Sequence, residues 1–247
     1  MNMHKKVSLF IPIYNEEKTI ENNVIKLLNM LNKLNLDFEL FIIDDGSKDR
    51  TGSIIKRLSG LYKDINYLRY ENGPSRRENL SKSFEMSNGE IISFMDADLS
   101  TSLDNYPKLI KEIEDGADIS TGCRNHKDSV VKREFSRKII SFLFNKFIKI
   151  YFGSKVLDHQ CGFKAFKRDI ILNLVNELGY DKHFKRKFFW DTELLLRAQK
   201  KNYSIKEIPI EYKETRKSGF NFFEELTMLL YIIKLKKVIG YVKNDKI

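Results

Sequence analysis

Apolar residues in the first 120 positions follow two alternating patterns. Short continuous runs at Val7–Ile13, Phe38–Ile43, Ile65–Tyr70, Glu90–Met95 and Asp118–Cys123 read as buried strands. Between them, apolar positions recur at helical spacing. Ile20, Val24, Leu27, Leu28, Leu31 and Leu34 form one stripe, and Leu103–Glu114 forms another with Pro107 near its start. Asp49 is placed to cap a helix through Leu58, and a helix from about Arg76 to Met86 ends before Asn88-Gly89. Unbroken apolar strands alternating with helices predict a parallel sheet covered on both faces. Ligands of such sheets lie beyond the carboxyl ends of the strands. Four of those ends are polar: Tyr14-Asn15-Glu16, Asp44-Asp45-Gly46-Ser47, Glu71-Asn72-Gly73 and Asp96-Ala97-Asp98. They are expected to meet on one edge.

The pattern changes after Cys123. Residues 124–137 are polar and basic and read as a mobile loop. A helix over Lys138–Phe152 gathers Lys138, Ser141, Asn145, Lys146 and Lys149 on an arc of roughly 140°, and the rest of its surface is apolar. A sheet-like stretch at Gly162–Phe166 follows, with helices near Ile170–Leu178 and Thr192–Lys200. Ile205–Tyr212 reads as an edge strand because of Pro209. The tail, Phe222–Val242, is an apolar helix interrupted by lysines. No run reaches the roughly 18 apolar residues of a membrane span, and no secretory signal is visible. A cytoplasmic protein, soluble or peripherally bound to the membrane, is expected. Two cysteines exclude a disulfide scaffold.

The net charge of +10 is lopsided: residues 1–120 sum to −4 and residues 121–247 to +14. An anionic partner for the second half is expected, such as a phosphate, a lipid headgroup or nucleic acid. Nucleic acid is disfavoured, because no binding motif accompanies the basic residues and acidic clusters occupy the sheet edge. Lys182-His183-Phe184-Lys185-Arg186-Lys187 reads as a solvated loop.

Asp96-Ala97-Asp98 ends a buried strand, and two carboxylates there can hold a hard divalent cation, Mg2+ or Mn2+, that in turn holds a diphosphate. The competing reading is a capping pair before the next helix. Asp44 can accept hydrogen bonds from a ribose or base, or can simply belong to an Asp-Gly turn. Asp191 and Glu193 are candidate bases, or else acidic residues of a helix N-terminus.

Phe10-Ile11-Pro12-Ile13-Tyr14-Asn15-Glu16, Ile43-Asp44-Asp45-Gly46-Ser47 and Met95-Asp96-Ala97-Asp98-Leu99-Ser100-Thr101, in this order and spacing, resemble glycosyltransferase family 2. Thr121-Gly122-Cys123-Arg124, Asp158–Lys164 and Phe189–Leu195 extend the resemblance to the polyprenyl-phosphate branch, the dolichyl-phosphate glucose and mannose synthases. The resemblance implies an α/β GT-A fold, with a mostly parallel Rossmann-like sheet flanked by helices. It implies a catalytic domain over 1–221, whose first 123 residues bind a nucleotide sugar and whose remainder binds the acceptor, and then a basic amphipathic helix over 222–247. Pro12, Tyr14, Glu16, Ile42 and Asp44 would line the nucleoside pocket. Asp96, Ala97 and Asp98 would meet donor and metal, with Arg124 and Arg216 at the diphosphate. Arg137 and Ser141 would hold a lipid phosphate.

The segment Gly73–Asn79 departs from the family's Lys-Gly-rich pattern, Ser218–Asn221 departs from its late Gly-x-Ser-Lys, and His159 replaces a small polar residue, reading as a hydrogen-bonder. Leu99-Ser100-Thr101 departs from the mannose-type pattern, which carries Gln at position 100, and looks glucose-type. The function implied is inverting transfer of a sugar, glucose from UDP-glucose in the leading reading, to a polyprenyl (dolichyl-type) phosphate, with mannose from GDP-mannose as an alternative. An already ionised phosphate acceptor needs no strong base, whereas a saccharide hydroxyl acceptor would need Asp191 or Glu193. The alternatives are a family 2 enzyme of polysaccharide or glycolipid synthesis and a non-enzymatic basic module.

Overall fold

The computed structural model describes residues 6–75, 77–183, 185–215, 222–240 and 242, the side chains of 222–229 excepted. Nine strands and eight α-helices are seen among them. Strands β1 (Val7–Ile13), β2 (Phe38–Asp44), β3 (Ile65–Arg69), β4 (Ile91–Met95), β5 (Ile119–Cys123), β7 (Phe163–Lys167) and β8 (Ile205–Pro209) make one sheet in the order β3-β2-β1-β4-β7-β5-β8. Six strands run one way, and β7 runs against both neighbours. The sheet is thus mostly parallel, as expected, and β8 with its Pro209 lies on an edge.

Successive side chains of a strand point to opposite faces, and both faces here are buried. Val7, Leu9, Ile11 and Ile13 of β1 join Leu40 and Ile42 of β2 in one core, covered by α1 (Ile20–Lys33), α2 (Thr51–Leu61) and α4 (Tyr106–Glu114). Phe10, Phe41, Ile43, Ile92 and Phe94 face the other core with α3 (Glu78–Ser83), α6 (Arg168–Leu178) and α7 (Trp190–Lys200). Two-sided burial explains why these strands read as continuous apolar runs.

The ladder from β1 to β4 stops at Phe10↔Phe94, whereas β1 stays paired with β2 as far as Ile13↔Asp44. Pro12, which has no N–H to give, therefore lies past the β4 pairing. The chain order also reverses between β1 and β4, the usual place for a ligand crevice in such sheets.

Three local expectations change. The helix expected from Arg76 begins at Glu78, and Arg76 itself lies outside the described residues. Asp49 stands one residue before the N-cap position of α2: its carboxylate accepts from the N–H of Thr51, the first residue of that helix, and also from the N–H of Glu17, tying the helix start to the β1 end. Residues 124–137 are not loop throughout. They contain β6 (Val130–Lys132), paired with β9 (Glu211–Lys213), and lead into α5 (Phe135–Phe152). Arg133 and Arg137 both bind Glu214, at 3.1 and 2.6 Å, so the basic residues are held by a partner that hydropathy alone does not indicate. The last helix, α8 (Phe222–Ile239), lays Ile232, Leu235 and Ile239 against Ile148 and Phe152 of α5 and Leu196 of α7.

Candidate active site

Because β1 to β4 are parallel, their carboxyl ends share one edge, and side chains stitch the polar clusters there. Asn15 N–H donates to Ser47 Oγ and Lys48 N–H to Asn15 Oδ1. Ser75 donates to Asp45 through its N–H and hydroxyl. Gly73 is required at this junction, since a Cβ would stand 1.9 Å from the Asp45 carbonyl oxygen.

Asp44 is fully buried. Ser47 N–H donates to one oxygen, and Tyr67 and Arg69 donate to the other, each at 2.8 Å. Burial and the Asp44 carboxylate push the Tyr67 phenol up to about 12, so it remains a donor. Pro12 and Tyr14 are half-buried, while Ile42 and Glu16 are buried.

Asp96 and Asp98 leave β4 differently. Asp98 is held by Ser100 N–H at 3.0 Å and the Thr215 hydroxyl at 2.6 Å. Ala97 is buried, and its carbonyl accepts from Asn23. The Asp96 side chain is 46% exposed and lies flat against Gly162, where a Cβ would stand 2.1 Å from its carboxylate. Arg77 Nη2 donates to Asp96 Oδ1 at 2.8 Å, and Arg77 Nε reaches Asp191 Oδ2 at 3.3 Å. Asp191, in the first turn of α7, takes a second cation on its other oxygen, the fully buried Lys164 Nζ at 2.8 Å. Burial alone would raise the Asp191 pKa, but Lys164 and Arg77 outweigh it and hold the carboxyl below its ordinary value.

Sequence reasoning assigned no role to Arg77, Lys164 or Asp158. One signal was available: a lysine amid the apolar residues of Phe163–Phe166 must find a counter-charge to be buried. Nothing in the chain marks Arg77. Arg124 is locked to the buried Asp158 by its own N–H and by two guanidinium contacts of 2.7 Å. Burial would raise the Asp158 pKa, yet Arg124 brings it down to about 2.

Glu193 is fully buried between Arg186 and Arg197 and accepts from Tyr231. It is a structural counter-ion rather than an accessible base. Arg186 is likewise buried and paired with Glu78, so the basic run 182–187 is not wholly solvated; Phe184 lies outside the described residues, as does Arg216. Burial lowers the His159 pKa to about 3. The neutral ring donates from Nδ1 to Asn145 and accepts from Ser154. Asn145 therefore turns inward, away from the solvated arc expected of it. Arg137 faces Glu214, and half-buried Ser141 lies one turn further along α5.

No group of three or more His, Cys, Asp or Glu side chains gathers into a metal site among the described residues. Asp96 and Asp98 nonetheless offer the carboxylate oxygens that a hard divalent cation such as Mg2+ or Mn2+ takes as ligands.

A twisted, mostly parallel sheet with helices on both faces and acidic strand ends around a β1/β4 crevice defines an α/β protein of the GT-A glycosyltransferase type. The sequence agrees: the model of glycosyl transferase family 2 matches residues 8–174, and the chain belongs to that family. Among its relatives, glycosyltransferase AglD of Haloferax volcanii is 33% identical over 211 residues, which cover 84% of this chain and 33% of that protein. The chain thus spans about a third of AglD. A dolichyl-phosphate beta-glucosyltransferase of Dictyostelium discoideum is 29% identical, covering 93% of this chain and 73% of that one. The glucosyl-3-phosphoglycerate synthase of Mycobacterium tuberculosis, solved with Mn2+ and UDP-glucose, superposes with a TM-score of 0.66 at 19% identity, covering 98% of this chain and 81% of that one.

Proposed function

We propose that this family 2 glycosyltransferase moves a sugar from a nucleotide sugar to a polyprenyl phosphate, with UDP-glucose as donor. The observation that carries the acceptor class is the state of Asp191. Clamped between Lys164 and Arg77, with its pKa held down, it is a poor base for a saccharide hydroxyl. A phosphate monoester, with a second pKa of about 6, needs no base near pH 7. The glucose assignment is supported by Leu99-Ser100-Thr101 and by the dolichyl-phosphate beta-glucosyltransferase relatives.

In this reading Pro12, Tyr14, Glu16, Ile42 and Asp44 shape the nucleoside pocket, and Asp96 and Asp98 hold the divalent cation. That cation, when bound, neutralises charge on the departing diphosphate. Arg124, and Arg216 in the segment after Thr215, add positive charge there. Arg137 and Ser141 receive the acceptor phosphate and align it for in-line attack on the anomeric carbon, which inverts.

The outer face of α5 fits a lipid-borne acceptor. Phe135, Ile140, Phe142, Leu143 and Ile150 are all at least half exposed beside Lys138 and Lys146. Such a face suits the headgroup boundary of a membrane, lysines reaching outward. No helix among the described residues is long and apolar enough to cross one.

The test is a lipid-extraction assay with the full chain, polyprenyl phosphate, Mn2+ and labelled donors. An organic-extractable glucolipid from UDP-glucose is expected. A mannolipid from GDP-mannose would reassign the donor, and no lipid-linked sugar from any donor would overturn the reading.

A further inference from the structure

Arg77 stands out because three independent features converge on it. Its backbone adopts φ +86°, a left-handed conformation that favours glycine and disfavours a side chain. Its side chain is 15% exposed, yet it reaches two carboxylates on different elements: Asp96 at the end of β4 and Asp191 at the start of α7. The guanidinium also lies over the Phe94 ring, 5.0 Å from its centre.

The two ends of this bridge are unequal. Asp191 is buried and keeps Lys164 whether or not Arg77 is present. Asp96 is half exposed, and among the described residues Arg77 alone donates to its carboxylate. Gly162 closes one side of Asp96, leaving no room there for another ligand. A cation arriving at Asp96 therefore competes with the guanidinium for Oδ1.

Resting on the donor-site reading above, we propose that Arg77 is a resident counter-cation of that site. It holds Asp96 against Asp191 until a divalent cation displaces it from Asp96, and the freed guanidinium then faces the diphosphate of the donor. Arg77 keeps its charge throughout, because a guanidinium stays protonated at any working pH. Its planar fork is what lets one side chain span two carboxylates, a geometry that a lysine ammonium does not reproduce.

The experiment is calorimetric titration of Mn2+ alone, then of UDP and UMP with Mn2+ present, into wild type, Arg77→Gln and Arg77→Gly. Glycine suits the local backbone, so the second variant keeps a folded comparison if the first is unstable. Both variants are expected to bind Mn2+ about tenfold more tightly, the worth of one hydrogen bond to a charged group. Both should also lose about tenfold of the preference for UDP over UMP. A merely structural arginine would weaken ligands uniformly. Unchanged Mn2+ affinity, or an unchanged UDP-to-UMP ratio, in variants of a wild type that binds both would overturn the counter-cation alone. Absence of Mn2+ and UDP binding in wild type would overturn it together with the donor site.

Discussion

Lys164→Met tests the electrostatic centre of the site without touching its exposed side. Lys164 is fully buried in β7 and gives its ammonium to Asp191 at 2.8 Å and to the Cys161 carbonyl. At an effective dielectric of about 20, a pair at that distance gains roughly 6 kcal/mol before desolvation. Removing one partner of a buried pair typically costs about 3–5 kcal/mol, because the other charge is stranded. Here Arg77 still serves Asp191, so the loss should sit near about 3 kcal/mol. With a urea dependence of about 3 kcal/mol per molar, the unfolding midpoint should fall by about 1 M at pH 7.

The pH dependence supplies a second check. The folded pKa of Asp191 lies below its unfolded value, so its contribution is present above the unfolded pKa and is lost as pH falls through the folded one. The gap between wild type and variant should therefore narrow on acidification through the carboxylate range. Urea melts at pH 7 and pH 3 measure both quantities. A loss below about 1 kcal/mol at pH 7 would refute the reasoning, since that is the scale of an exposed pair.

Three further outcomes are expected. The folded pKa of His159 is about 3, against an ordinary 6.5. The unfolded chain therefore binds the proton first, and stability falls as pH drops from 6.5 towards 3. His159→Gln should lack this component, about 1 kcal/mol per pH unit in that window, and parallel pH profiles in urea melts would contradict the assignment. Gly162→Ala should push the Asp96 carboxylate aside and weaken Mn2+ binding in calorimetry, and wild-type affinity would show that Asp96 is free to yield. Lys138→Glu with Lys146→Glu should cut co-sedimentation with anionic vesicles while leaving UDP binding intact; equal sedimentation would remove the α5 face from membrane contact.

The sheet was legible because burial on both faces writes itself into the chain as apolar runs, as in Val7–Ile13 and Ile91–Met95. The polar strand ends follow from the same pattern. Pairings across long separations were not legible. Arg137 with Glu214 and Arg124 with Asp158 join residues 77 and 34 positions apart, and no local periodicity reports such a partner. The reversed β7 also escaped, since an antiparallel strand buried on both faces reads like a parallel one. Asn145 shows the opposite failure: helical spacing put it on a solvated arc, and the demand of a buried imidazole drew it inward.

The reversal of β7 also bears on how such a protein can diverge. Thr121 and Lys164 face each other across adjacent antiparallel strands, so residues 124–162, between the end of β5 and the start of β7, form one long excursion. Lengthening a loop whose ends are already fixed costs little entropy. Length changes at the outer turns of that excursion leave the β5–β7 register untouched where β6, Asp158 and Gly162 keep their places. Evolution can remodel those outer turns while the parallel strands of the sheet keep their shape.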